Sequence, residues 1–185
     1  VTVLARTPAK LPVDLAAQVQ VVAGDALVAA DVDQAMQGAD AILFAVAVDK
    51  RSPEDLCTNS TRLILDVMPR LGTDRQVWCG GGSTWVDGDP TSFGAGFVRG
   101  FAKRFLGLRR RDKDHQLALL QQHTDLDWFG VRPLQMRKGE HTDTCRLGMD
   151  SFSGMSKISF ADCADVMIGM LTDDTWRHQV PIVQY

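Results

Sequence analysis

Long apolar runs are missing from this sequence: no stretch of about 18 uncharged apolar residues occurs, which leaves no segment of membrane-spanning helix length. A signal-peptide pattern is missing from the visible N-terminus as well. The charge balance leans neither way, with 20 Lys plus Arg against 23 Asp plus Glu and a net charge of -3. Partners that need a basic surface, nucleic acid above all, are therefore not expected, and neither is a membrane. Close cysteine pairs are missing too. Cys57, Cys79, Cys145 and Cys163 are scattered with no CxxC spacing, and three of them sit in apolar, periodic segments, so they read as reduced core thiols of a cytoplasmic protein. His115, His123, His141 and His178 show no metal-ligand spacing with one another or with the cysteines, and no metal site is expected. No internal repeat or low-complexity tract appears. An initiator methionine is missing as well, and the chain begins directly on a strand.

What is present alternates between two periods. Val1, Val3 and Leu4 form a β-branched apolar run that Arg6 and Thr7-Pro8 end, the pattern of a buried strand. Val19–Val22 is a second apolar run, closed by Gly24-Asp25. A short helix is predicted next, with Asp31 and Asp33 in its first turn, Val32, Ala35 and Met36 on one face, and Gly38 as its stop. Ala41–Val48 (AILFAVAV) is a continuous apolar run of the kind found in strands buried on both faces. Ser52-Pro53-Glu54-Asp55 reads as a helix start with Ser52 as the cap. Leu56, Leu63, Ile64, Val67, Met68 and Leu71 then share one face until Gly72. Val77–Cys79 is a strand that ends in Gly80-Gly81-Gly82-Ser83.

From Thr84 to about Lys113 the sequence is irregular. It carries Phe93, Phe97, Phe101 and Phe105, with Lys103, Arg104 and Arg109–Arg111. This reads as a long loop, solvated or serving as a lid for an anionic ligand. Asp114–His123 reads as a helix, Asp127–Val131 as a strand closed by Arg132-Pro133, Ser159 as the cap of a helix through Asp162, and the terminal PIVQY as a last strand. The alternation predicts one α/β domain over residues 1–185, a doubly wound parallel sheet with helices on both faces in three layers. Ligands of such sheets sit beyond the carboxyl ends of the strands.

In this order the segments VTVLART, VVAGDA, ADAILFAVA, GGGS, DLDWFGVRPL and ISFADCADVMIGML resemble the atypical short-chain dehydrogenases of the NAD(P)H-binding, NmrA-like group. That group includes the biliverdin-IXβ/flavin reductases and bacterial NADH-flavin reductases. The resemblance implies a Rossmann-like fold. Members open with a strand, a glycine-rich turn and a helix ahead of the strand that VTVLART resembles. That unit needs roughly 30 residues, so the chain is expected to lack the group's first strand and helix. An open slot is then expected between the VTVLART and AILFAVA strands.

The resemblance also implies a set of cofactor contacts. Arg6, with Lys10 as a helper, falls where the group meets the adenosine 2′-phosphate; a guanidinium fork suits a phosphate dianion, so NADP is the expected cofactor, with NAD the alternative. The competing reading is a solvated loop arginine. Asp25 and the backbone of Ala26 fall where the adenine edge is met, although a turn aspartate bonding its own backbone would look the same. Ala45, Val46 and Ala47 are small enough to let a dinucleotide pass, and Gly80, Gly81 and Pro133 complete the expected cofactor contacts.

Catalysis in typical short-chain dehydrogenases uses a serine with a Tyr-x-x-x-Lys pair. The sole tyrosine here is Tyr185, the last residue, which excludes that mechanism. Ser83 is the candidate catalytic polar group, Asp114 reads as a helix cap, and His115 reads as a solvated first-turn residue. The expected function is an NADP-dependent reductase passing hydride to a small-molecule acceptor such as a flavin, a quinone or a tetrapyrrole. The alternative is a non-catalytic NAD(P)-binding sensor of the NmrA type. A monomer or homodimer is expected.

Overall fold

The computed structural model describes residues 1–49, 51–82, 84, 86, 89, 107–149 and 156–185, with positions 107–110 described as backbone alone. Nine strands are described: β1 Thr2–Ala5, β2 Gln20–Ala23, β3 Ala41–Phe44, β4 Arg75–Cys79, β5 Asp127–Pro133, β6 Met136–Arg137, β7 Arg146–Gly148, β8 Ile158–Ser159 and β9 Ile182–Gln184. Among them lie a 3₁₀ turn at Pro8–Lys10 and the helices α1 Val13–Ala16, α2 Ala29–Met36, α3 Leu56–Leu71, α4 Gly107–Leu120 and α5 Phe160–Gly169.

The main sheet runs β3-β4-β5-β9-β7. It is parallel from β3 to β9, as the alternating pattern predicts, and ends in an antiparallel β7. β1 pairs in parallel with β2 alone, and β6 with β8. The edge strand β7 and the β6–β8 pair escape sequence reading because elements of two or three residues carry no period. No hydrogen-bonded pairing joins β1 to β3 among the described residues, and β3 is an edge of the main sheet. β1 is accordingly half-buried rather than buried, and Val1 is exposed.

Register sorts the side chains onto two faces. Phe44, Trp78 and Gly130 stand in one row, with Gln76 beside Trp128 on the same face; Val77 pairs with Phe129 and Cys79 with Val131 on the other. Helices α2, α3 and α4 cover the first face, burying Val32, Met36, Ile64, Met68, Leu117 and Leu120 around Trp78 and Trp128. Helix α5 covers the second, packing Cys163, Met167 and Met170 on Val77, Phe129 and Val131. Gly130 is glycine because the Trp78 indole lies across it: a Cβ there would be 2.6 Å from Trp78 Nε1.

Several element boundaries differ from expectation. The AILFAVAV strand stops at Phe44, so Ala45–Val48 lie beyond its end. The third helix begins at Leu56 and not beside Ser52, because Asp55 adopts a left-handed conformation (φ 57°) and breaks the run; the Ser52 hydroxyl is spent on Asp49. Gly72 ends α3 as expected, at φ 70° with its N–H on the Met68 carbonyl. Helix α4 starts at Gly107, seven residues before the expected Asp114, because the arginine-rich stretch has good helix propensity. Asp114 therefore lies inside the helix and is not its cap. Strand β5 continues through Arg132 and Pro133, which were expected to close it. Ser159 caps α5 as predicted, its Oγ accepting the Asp162 N–H at 2.9 Å.

Candidate functional site

The carboxyl ends of β3 and β4 share one edge of the main sheet, and the candidate site residues follow these strands and the strands of the β1–β2 pair. Arg6 follows β1 and Lys10 ends the 3₁₀ turn. Both are exposed, and among the described residues neither side chain has a hydrogen-bond or ion-pair partner. After β2, the Asp25 carboxylate accepts the Leu27 N–H at 2.9 Å, and the Asp25 N–H donates to Asp31 Oδ2 at 2.8 Å. The turn role of Asp25 is thus the one visible. Gly24 sits so close to Asp31 that a Cβ would lie 2.6 Å from its Cγ. Ala26 is half-buried in the same turn. After β3, Ala45 and Ala47 are exposed and Val46 is half-buried.

Lys113 on α4 closes this edge, and sequence reading missed it. Its Nζ donates to the Cys79 carbonyl at 2.8 Å and lies 3.4 Å from the Val46 carbonyl and 3.3 Å from Gln116 Oε1. It stands 5.4 Å from the Phe44 ring centroid and 5.8 Å from that of Trp78. One ammonium thus ties the ends of β3 and β4 together over two aromatic rings. The only signal was a lysine at the start of a helix whose beginning the basic cluster concealed.

The neighbouring Asp112 is buried and caps α3 from outside. Its carboxylate accepts the N–H groups of Cys57 and Thr58 and the Thr58 hydroxyl, each at 2.8 Å. Those are first-turn donors that Asp55 leaves unmet. Burial pushes the Cys57 thiol up to about 11, which makes it inert at neutral pH.

The glycines after β4 run along β5. Gly80 N–H donates to the Val131 carbonyl and Gly82 N–H to the Pro133 carbonyl, both at 2.9 Å. A Cβ on Gly82 would be 2.7 Å from Leu134 Cα, and one on Gly80 would be 2.8 Å from the Trp78 ring. Close chain approach therefore explains both without any ligand. The backbone of Gly81 forms a turn with Thr84, and Pro133 is buried at the end of β5. Ser83 lies outside the described residues, as do Phe93, Phe97, Phe101, Phe105, Lys103, Arg104 and the side chains of Arg109 and Arg110. His115 is exposed, 3.4 Å from Asp55.

A second buried carboxylate anchors the other face. Asp162 accepts Ser159 Oγ at 2.7 Å, the Thr142 and Asp143 N–H groups at 2.7 and 3.0 Å, and the Tyr185 hydroxyl. These donors, led by Tyr185, hold its carboxyl well below the usual range. Tyr185 is thus structural. Cys79 and Cys163 adjoin across this core: the Cys163 thiol lowers the titration of Cys79, and Cys79 with burial raises that of Cys163. All four cysteines are free; Cys57, Cys79 and Cys163 are core thiols as expected, whereas Cys145 is half-buried. His141, Asp143 and Asp165 bring ligand atoms within 4.8 Å of one another, all exposed, an arrangement common without a metal.

The sequence profile of a family described as NAD(P)H-binding matches residues 1–174. The chain belongs to that NAD(P)H-binding family. Solved structures agree in fold. ChuY, an anaerobilin reductase from Escherichia coli O157:H7, shares 22% identity over 92% of this chain and 78% of its own, with a TM-score of 0.72. A Streptococcus pneumoniae TIGR4 protein proposed to be an NADH-flavin reductase shares 21% over 99% and 86%, with a TM-score of 0.73. A short-chain dehydrogenase/reductase from Veillonella parvula in complex with NADP shares 12% over 100% and 82%, also at 0.73. The residues present suit a nicotinamide dinucleotide. An unspent guanidinium follows β1, small exposed residues follow β3, and a fixed ammonium holds the β3 and β4 ends. No described helix is long and apolar enough to cross a membrane.

Proposed function

We propose that this protein is an NADP-dependent reductase that passes a hydride to a small planar acceptor of the flavin, quinone or tetrapyrrole class. The observation that carries the cofactor preference is Arg6. It is an exposed charged fork at the end of β1 with no internal partner among the described residues. An arginine there suits a 2′-phosphate, where an acidic residue would favour the free ribose hydroxyls. When bound, the reduced nicotinamide supplies the hydride. The chain supplies the rest: Arg6 and Lys10 neutralise phosphate, the Asp25-Ala26 turn faces the adenosine end, and Lys113 fixes the strand ends around the crevice. Gly80, Gly81 and Pro133 wall its far side, and Ser83 is the polar group proposed for the acceptor pocket. The neighbours named for anaerobilin and flavin reduction support this choice of acceptor class.

A second reading, an NAD(P)-binding sensor without turnover, is favoured by one observation. The sole tyrosine donates its hydroxyl to Asp162 and accepts the Ser159 N–H, so no phenol is left to deliver a proton. Fluorescence titration of the full natural polypeptide with NADPH and NADH, followed by turnover with FMN and a quinone, separates the readings. Tighter NADPH binding with turnover is the expected result. Binding without turnover selects the sensor, and no binding of either cofactor overturns both.

A further inference from the structure

The side chain of Arg132 stands on the Trp78 face of β5, and it and Asp89 are only 2% and 8% exposed. The pair is bidentate: one terminal nitrogen lies 2.6 Å from Asp89 Oδ2 and the other 2.8 Å from Oδ1. The remaining donors go to two other segments. Arg132 Nε donates to the Val180 carbonyl at 2.7 Å, and the first terminal nitrogen also donates to the Thr84 carbonyl at 3.1 Å. Asp89 in turn closes its own loop, its carboxylate accepting the Val86 N–H at 3.1 Å while its N–H donates to the Val86 carbonyl at 3.1 Å.

A buried ion pair is a poor way to gain stability, since an apolar pair of the same volume often does as well or better. What a guanidinium fork supplies instead is geometry, because its donors accept only one arrangement of partners. Here that arrangement fixes the chain that leaves β4. The Thr84 N–H returns to the Gly81 carbonyl at 2.9 Å and Gly82 N–H bonds the Pro133 carbonyl at 2.9 Å, so the turn is held to β5 at Gly82 and by Arg132 at Thr84. This turn lies on the β4–β5 side of the crevice. Arg6 and the Asp25 turn follow the strands of the separate β1–β2 pair.

We infer that Arg132, with Asp89 as its counter-ion, is the positioning residue of the acceptor side, fixing the Gly81–Thr84 turn that walls the acceptor pocket. The inference rests on the reductase reading above. Arg132 touches neither cofactor nor acceptor; it acts through the Thr84 and Gly82 backbone.

The test compares wild type with Arg132→Lys and Asp89→Asn, in the full natural polypeptide, by NADPH affinity, FMN turnover and amide hydrogen exchange. Arg132→Lys keeps the charge and loses the fork, so it serves where Asp89→Asn fails to fold. Expected are faster exchange at Gly82 and Thr84 with the β1 amides unchanged, and a fall of about tenfold or more in kcat/KM for FMN. NADPH Kd should stay within about twofold of wild type, which a general loosening of the fold would not spare. Wild-type turnover with unchanged kcat/KM in the variants overturns the inference alone. Equal losses in NADPH affinity and FMN turnover also overturn it, showing the pair to be structural. A wild type that does not reduce FMN or a quinone overturns the reductase reading, and this inference with it.

Discussion

The β1–β2 pair and the main sheet treat charge in opposite ways. On the β1–β2 side, Arg6 and Lys10 are exposed and, among the described residues, unpaired. On the β3–β5 side, Lys113, Asp112, Arg132 and Asp89 are buried or half-buried, and each is tied to named backbone or side-chain partners. The difference separates two kinds of charge. A group with internal partners does structural work, and its removal is felt in stability; a group without them is available to a ligand, and its removal is felt in binding. Under the proposed reading, the β1–β2 side sets affinity for the cofactor and the β3–β5 side sets the geometry around it.

The strongest way to break this comparison is Asp112→Ala. The Cys57 and Thr58 N–H groups would lose their acceptor inside the protein, while the Thr58 hydroxyl keeps the Asp112 backbone carbonyl. A loss of about 2–4 kcal/mol in unfolding free energy is expected from a missing cap and unpaired buried donors. Urea denaturation followed by circular dichroism measures it, with Asp112→Asn recovering part through its amide oxygen. A loss under about 0.5 kcal/mol, the size of an ordinary surface substitution, would mean that α3 is held by its apolar face and that Asp112 is not structural.

On the opposite side, Arg6→Ala is expected to leave stability unchanged and to weaken NADPH binding about tenfold, or about 1.4 kcal/mol, with NADH little affected. Parallel titrations with both cofactors and a melting curve check all three parts. Equal weakening of both cofactors would remove the 2′-phosphate from the role of Arg6, and a lowered Tm would show that the charge has an internal use after all.

The frame of the fold was legible in the sequence because it depends on long signals. Apolar runs marked the parallel strands, the 56–71 face marked α3, and Ser159-x-x-Asp162 marked the start of α5, although the AILFAVAV run, expected to be buried on both faces, forms an edge strand with Leu43 exposed. Legibility failed where a contact crosses the chain. The start of α3 depends on Asp55 turning left-handed and on Asp112, 57 positions later in the sequence, supplying the cap. The place of Lys113 depends on α4 beginning at Gly107, inside a stretch whose glycines and aromatics read as loop. The glycine triplet was read toward a ligand, while Gly80 and Gly82 answer to Trp78 and β5. Arg132 was noticed as a strand-end residue, but nothing in its neighbours along the chain announces Asp89, which packs beside it only once the fold is formed.

Asp162 sharpens the comparison, since it is a buried carboxylate held by N–H and O–H donors, with Tyr185 contributing most. Its folded pKa is depressed below the unfolded value of about 3.9, so the stability it contributes is complete above about pH 4 and lost as pH falls through the folded value. Tyr185→Phe raises that folded value toward the unfolded one. The variant should therefore melt a few degrees lower at neutral pH, and the gap to wild type should narrow only as pH falls below about 4 and through the variant's own folded value, where the variant's carboxyl protonates before the wild type's. The gap should not close entirely, because the Ser159 N–H also loses its acceptor on the Tyr185 oxygen, and that loss does not titrate. Other carboxylates titrate alike in the two proteins, so the difference between their melting temperatures across pH isolates this one group. A gap that stays constant from neutral pH down to about pH 1.5, below the range in which a less depressed carboxyl titrates, would show that Tyr185 acts by packing and not through the charge of Asp162.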